Sequence, residues 1–176
     1  MAELTIRDAT PADIPALHRL IESAYRGDSA RRGWSSEADL LAGQRTDHED
    51  LADILAGPRQ AILMAHDQGD LRGCVMIEGR DQGVGYFGML SVVPELQSGG
   101  VGRALVRAAE AALIARYGVR RVEISVFPQR ETLIAWYERL AYELTGATLP
   151  FDYDNPRLGI PLRDDLHFVV MAKSLA

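Results

Sequence analysis

Leu90-Ser91-Val92-Val93-Pro94-Glu95-Leu96-Gln97-Ser98-Gly99-Gly100-Val101-Gly102-Arg103 joins a β-rich run to a helical one through a turn holding three glycines. Upstream, Gly85 to Val93 reads as a strand that Pro94 stops. Downstream, Val101, Leu105, Ala108, Ala112 and Leu113 fall on one helical face, with Arg103, Arg107 and Glu110 on the other. Glycine removes the Cβ that keeps a bulky anion away from the backbone. The first N–H groups of a helix lack intrahelical partners and carry partial positive charge. A strand, a glycine turn and a helix start therefore predict an anion cradle made of main chain.

Two cradle designs are excluded. A nucleotide P-loop needs Lys after its glycines, and the only lysine of the chain is Lys173. A dinucleotide fingerprint needs G-x-G-x-x-G in the first βαβ unit, whereas these glycines follow residue 95. Gln97-Ser98-Gly99-Gly100-Val101-Gly102 fits Q/R-x-x-G-x-G/A instead. Leu90-x-Val92-x-Pro94 precedes it, Gly118 ends the helix, Arg121 to Phe127 forms the next strand, and Tyr137-Glu138-Arg139-Leu140-Ala141-Tyr142 ends the next helix. In this order the chain resembles the GNAT superfamily of acyl-CoA-dependent N-acetyltransferases.

The resemblance implies acetyl-CoA as cosubstrate. It implies that the backbone of Leu90, Ser91 and Val92 meets the pantetheine arm, and that Gln97, Ser98, Gly99, Gly100, Val101, Gly102 and Arg103 bind the pyrophosphate. It also implies Tyr137 as the acid that protonates the departing thiolate, the other reading being a core tyrosine with its hydroxyl satisfied. Two positions depart from the family pattern. Tyr86 stands where some members carry a base Glu, which leaves Glu78 or Glu123 on neighbouring strands, and Arg130 stands where many have Asn. The implied reaction is transfer of an acetyl group to a primary amine of a small molecule or peptide. The alternative is a non-catalytic acyl-CoA-binding module.

The rest of the chain frames this site. Leu4 to Arg7 reads as a strand, and Thr10, Pro11 and Asp13 open a helix carrying Ile14, Leu17, Ile21 and Ala24. Ser36 is expected to cap a short helix stopping near Gly43, and Thr46 with Glu49 to open another ending by Gly57-Pro58. Ala61 to His66 and Leu71 to Glu78 form a hairpin, Glu131 to Leu140 a helix, and Tyr142 to Leu149 with His167 to Lys173 a closing strand pair. The order β-α-α-β-β-β-α-β-α-β-β predicts an α/β (α+β) domain over residues 1–176. Its mixed, mostly antiparallel sheet has about seven strands, with helices on both faces.

Tyr25, Arg26, Arg31, Arg32, Trp34 and Arg45 crowd the broken segment after the first helix. Tyr25, Trp34 and Arg45 are the acceptor-binding candidates, because Arg forks hold carboxylates and phosphates. The same residues also suit a structured connector in which Trp34 fills the core and Arg45 pairs with an acid. The loop acids Asp152, Asp154, Asp164 and Asp165 suit a cationic amine or a solvated turn. The four histidines lie in separate elements, so no metal is expected, and Cys74 reads as a core residue. The net charge of −6 argues against a nucleic-acid surface. No apolar run approaches a membrane span, and no signal peptide is visible. One cysteine fits a cytoplasmic protein. The long closing loop, Phe151 to Asp165, offers a surface for a homodimer.

Overall fold

The computed structural model describes residues 3–175. β1 (Thr5–Asp8) leads through a 3-10 turn at Pro11–Asp13 into α1 (Ile14–Tyr25). The Asp13 carboxylate accepts the Thr10 N–H and both arms of the Arg7 guanidinium, each at 2.8 Å. The Arg7 hydrogen bonds hold Asp13 well below the usual carboxylate range. α1 buries Leu17, Leu20, Ile21 and Ala24, following the periodicity of the sequence.

The segment after α1 departs from the sequence reading. A short helix, α2, forms at Gly27–Arg31, and the helix expected from Ser36 does not form. Ser36 accepts the Ala38 N–H in a single turn, and the chain enters β2 (Leu41–Ala42). α3 (His48–Ala56) is capped by Asp47, whose carboxylate accepts the Asp50 N–H at 2.7 Å. Thr46, the expected cap, donates its hydroxyl to the Asp50 side chain instead.

β3 (Gln60–Asp67), β4 (Asp70–Gly79) and β5 (Val84–Val92) form a meander; α4 (Val101–Tyr117), β6 (Arg121–Val126) and α5 (Glu131–Glu138) follow. β7 (Glu143–Pro150), β8 (Ile160–Pro161) and β9 (His167–Ser174) complete the chain. Seven strands make one sheet in the order β1-β3-β4-β5-β6-β9-β7, antiparallel except for β5 with β6. β2 and β8 pair separately over two residues each.

Strand alternation sends Leu63, Ala65, Val75 and Ile77 to a core under α4, and Ile62, Met64, Cys74 and Met76 to a core under α1 and α3. Burial pushes the Cys74 thiol up to about 12, so it stays protonated and inert at neutral pH. A third cluster, with Leu41, Phe127, Phe151 and Leu166, lies beneath the closing loop.

β5 is not a plain strand. Met76 pairs with Gly88 and Cys74 with Ser91, so Met89 and Leu90 oppose Val75 alone. Met89 takes a positive φ of 51°, uncommon for a residue with a Cβ. This bulge flips the phase of the strand. Phe87 belongs to the α4 core and Met89 to the opposite one, yet both Leu90 and Val92 return to the α4 side. The parallel β5–β6 pairing also ends early, at Tyr86 opposite Glu123. Beyond that point the strands part, and Leu90 lies outside both ladders.

Candidate active site

The fork between β5 and β6 opens on one side into a groove of about 910 Å³. Leu90, Val92, Gln97, Ser98, Gly99, Gly100, Gly102 and Arg103 line it, facing Thr132, Leu133 and Trp136 of α5. The glycine turn is open, and most of its amides are free. The N–H groups of Ser98, Gly100, Val101, Gly102 and Arg103 make no hydrogen bond among the described residues, whereas Ala104 already donates to the Gly100 carbonyl at 3.0 Å. Gly100 sits at φ 90°, a conformation that a side chain strains, and turns these donors to one side. Ser98 is held at φ 75°, a second left-handed residue in the same turn.

Two of the cradle amides are already spent within the turn. The N–H of Gln97 is 3.4 Å from the Pro94 carbonyl and that of Gly99 is 3.2 Å from the Leu96 carbonyl, so neither is available. The Ser91 side chain is buried away from the groove, its hydroxyl donating to the Met89 carbonyl at 2.9 Å. Val101 turns its side chain into the core and leaves only its amide to the turn. The Gln97 side chain packs against Gly33, where a Cβ would collide with it.

On the other side of the fork lies an inner cavity of about 150 Å³. It shares Tyr25, Leu90, Arg130 and Leu133 with the groove, so the two spaces meet there. Tyr25, at the end of α1, donates its hydroxyl to the Leu90 carbonyl at 3.0 Å and thereby braces the bulge. Burial pushes the Tyr25 phenol up to about 12, so it remains a donor through the physiological range. Glu22, one turn earlier on α1, accepts the amides of Arg45 and Thr46 at 2.8 and 2.9 Å. One helix thus positions both Tyr25 and Arg45, and the Arg45 guanidinium lies 5.0 Å from the Tyr25 ring centre.

Tyr137 is 5% exposed and packs among Phe87, Trp136 and Tyr142. Its hydroxyl has no hydrogen-bond partner among the described residues, yet it is not sealed, because Tyr137 lines the inner cavity. Burial pushes this phenol well above the ordinary tyrosine range. A core tyrosine would have its hydroxyl satisfied.

The remaining candidates disperse. Trp34 lies at the groove beside Trp136, ring centres 6.2 Å apart, and not in the inner cavity. Arg31 pairs with Asp28 and Asp39, and Arg32 with Glu95, all at the surface. Glu78 bonds Arg80 and Glu123 bonds Arg121; neither lines either space. Asp152, Asp154, Asp164 and Asp165 line neither, and Asp165 is held by Arg163. Among the described residues no three His, Cys, Asp or Glu side chains gather into a metal-binding group.

Sequence reading did not find Glu37, Ser125, Phe151, Leu158 or Phe168, which all line the inner cavity. Glu37 carries the only carboxylate of that lining. It lies 2.6 Å from Arg26, a pair almost wholly buried. The Arg26 guanidinium also donates to the Leu158 carbonyl at 3.2 Å, tying α1 to the closing loop. Gly159, at φ 102°, makes room for that contact, because a Cβ there would press on the Ala42 and Gln44 carbonyls. The β2–β8 pairing and the Leu162 N–H, 2.9 Å from the Leu40 carbonyl, complete this roof.

Comparison with known proteins shows the family. The model of the acetyltransferase (GNAT) family matches residues 16–142. Ribosomal-protein-alanine N-acetyltransferase from Brucella melitensis superposes with a TM-score of 0.69 at 21% identity, covering 97% of this chain and 99% of its own. The Salmonella typhimurium protein yncA, solved with its cofactor acetyl-CoA, gives 0.68 at 18% identity, covering 99% and 95%. A chimera of the spermidine N-acetyltransferase SpeG from Vibrio cholerae and hSSAT gives 0.69 at 17%, covering 98% and 96%. The chain belongs to the GNAT family of acetyltransferases, enzymes that use acetyl-CoA.

Proposed function

We propose that this enzyme acetylates a primary amine by direct attack within a ternary complex, as one catalytic unit over residues 1–176. The free amides of Ser98, Gly100, Val101, Gly102 and Arg103 hold the pyrophosphate, and the unpaired edge of β5 at Leu90 and Val92 carries the pantetheine arm. Arg103, Arg107 and Arg139 add positive charge at the groove wall. Bound acetyl-CoA supplies the acyl thioester and, on transfer, a thiolate that must be protonated. Leu90 offers a main-chain N–H outside both ladders to the negative charge that develops on the acyl oxygen.

The observation that carries this reading is the unpartnered hydroxyl of Tyr137, a residue that lines the inner cavity and whose burial keeps it protonated. It is a phenol held ready to donate. The acceptor occupies the inner cavity, whose size and roof favour a small amine over a folded protein surface. Three arginines against one carboxylate leave two positive charges in excess there, which disfavours an ammonium ion. The amine therefore arrives neutral, and no side-chain carboxylate is required as base.

Tyr137→Phe tests this reading. Turnover, followed by release of free thiol, falls about 100-fold. Acetyl-CoA affinity by calorimetry stays unchanged. Unaltered turnover would remove Tyr137 from the reaction, and acetyl-CoA binding without thiol release from any amine would favour the non-catalytic binding module. We place the enzyme in the cytoplasm; no helix of the described chain is long and apolar enough to cross a membrane. Tyr153, Ile160 and Leu162, exposed on the closing loop, support a homodimer contact there, which sedimentation equilibrium would read.

A further inference from the structure

The inner cavity holds more hydrogen-bond donors than its own acceptors satisfy. Arg26, Arg45 and Arg130 converge on Glu37, at 2.6, 3.9 and 3.5 Å. Each guanidinium brings five N–H donors, and one carboxylate offers about four lone-pair positions. Arg26 also meets the carbonyls of Tyr25 and Leu158, both at 3.2 Å, and Arg130 donates to the Ser35 hydroxyl at 2.8 Å. The Arg45 side chain makes no hydrogen bond among the described residues; its one ionic neighbour is Glu37 at 3.9 Å. The Nε atoms of Arg26 and Arg130 are buried without any acceptor. A buried donor left unmade costs about 1–3 kcal/mol, and more when charged.

Tying the closing loop to α1 needs only Arg26, paired with Glu37 and donating to the Leu158 carbonyl. Arg45 and Arg130 are surplus to that task; Arg130 stands where acceptor and thioester spaces meet, and Arg45 lines the inner cavity alone. A compact anion between them would supply the missing acceptors and cancel excess charge. The cavity of about 150 Å³ equals roughly five water volumes, which suits a carboxylate on a short carbon chain.

Resting on the acetyltransferase reading, we propose that the acceptor is a small amino acid, its carboxylate held by Arg45 and Arg130 and its free amine directed toward Leu90 and Tyr137. Guanidinium forks grip carboxylates with two parallel bonds, which fixes the amine as well as binding it. The reaction forms the C–N bond and breaks the C–S bond. One proton leaves nitrogen and one reaches sulfur, giving an N-acetylated acid and free thiol.

The test compares α-, β- and γ-amino acids, each with its carboxamide and its decarboxylated amine, by thiol release at saturating acetyl-CoA. At least one amino acid exceeds both partners in kcat/KM by about 10- to 100-fold, the range for a charge-assisted pair. Arg45→Gln collapses that ratio toward one. Acetyl-CoA affinity of this variant stays unchanged, because Arg45 lines only the inner cavity. Should Arg45→Gln fail to fold, propionate decides on the wild-type enzyme, where it inhibits competitively against the amine. Equal rates for an amino acid and its carboxamide overturn this inference and leave acetyl transfer standing. Failure of acetyl-CoA to bind at all overturns the enzyme reading with it.

Discussion

In the proposed reaction, Tyr137 separates chemistry from packing at the level of a single atom. Its ring belongs to the core, so removal of the ring would cost stability, but its hydroxyl satisfies no neighbour. Tyr137→Phe is therefore expected to change stability by less than about 0.5 kcal/mol, the range of substitutions that break nothing. Thermal melting checks this alongside the loss of turnover. The pH profile belongs to the same scale. Both Tyr25, at about 12, and Tyr137, pushed up by burial, stay protonated across the neutral range. kcat/KM should rise with pH as the amine loses its proton and show no descending limb below about pH 10, where a free tyrosine ionises. A bell centred near neutrality would implicate a different acid.

Among elements, the join of β5 to α4 carries the proposed acetyl-CoA cradle. Gly100 at φ 90° and Gly102 within the first turn of α4 are chemically alike but differ in what they tolerate. A Cβ at Gly100 meets no atom, yet the left-handed backbone penalises it by about 1–2 kcal/mol. A Cβ at Gly102 meets Trp136 at 3.5 Å and Val92 at 3.8 Å, ordinary contact in a helical residue. Gly100→Val should lower the melting temperature and weaken acetyl-CoA binding at least about tenfold, a loss of about 1.4 kcal/mol. Gly102→Ala should retain binding and gain up to about 1 kcal/mol of helix stability. Calorimetry and thermal melting on the two variants separate backbone strain from steric blocking.

This cradle was legible because its signal is local, with Gln97, the glycines and the helix periodicity all within one stretch. The bulge in β5 was not read, although the apolar phase slips between Phe87 and Leu90 and a strict period-two count would have exposed it. The helix expected from Ser36 failed for a different reason. β2 finds its partner more than a hundred residues away in β8, and no local propensity encodes that pairing. The arginine convergence lay beyond reach for the same cause. Arg26, Glu37, Arg45 and Arg130 come together only when the end of α1, the segment between α2 and α3, and the start of α5 are assembled.

For the whole molecule, buried phenols set the alkaline limit. Tyr25, Tyr137 and Tyr142 all have raised folded-state values, chiefly from burial. Unfolded tyrosine ionises near pH 10, so their contribution is intact below that value and is lost as pH rises beyond it, up to about 12 for Tyr25. Asp13 acts at the opposite end. Its depressed value supports the fold above the ordinary carboxylate range, and that support fades as acid protonates it. Denaturation midpoints in urea, measured from pH 3 to 11, should fall at both extremes, with the alkaline fall beginning near pH 10.

The seam between β2 and β8 is two residue pairs long, whereas β3 and β4 are zipped over eight. So short a zipper opens at a free energy far below that of global unfolding. The chamber beneath it is expected to open while the main sheet stays shut. Amide deuteration at Ala42 and Ile160 should run ahead of that at Ile62 and Val75. On the proposed assignment of the acceptor to that chamber, opening of the seam adds a second way in, besides the junction with the groove.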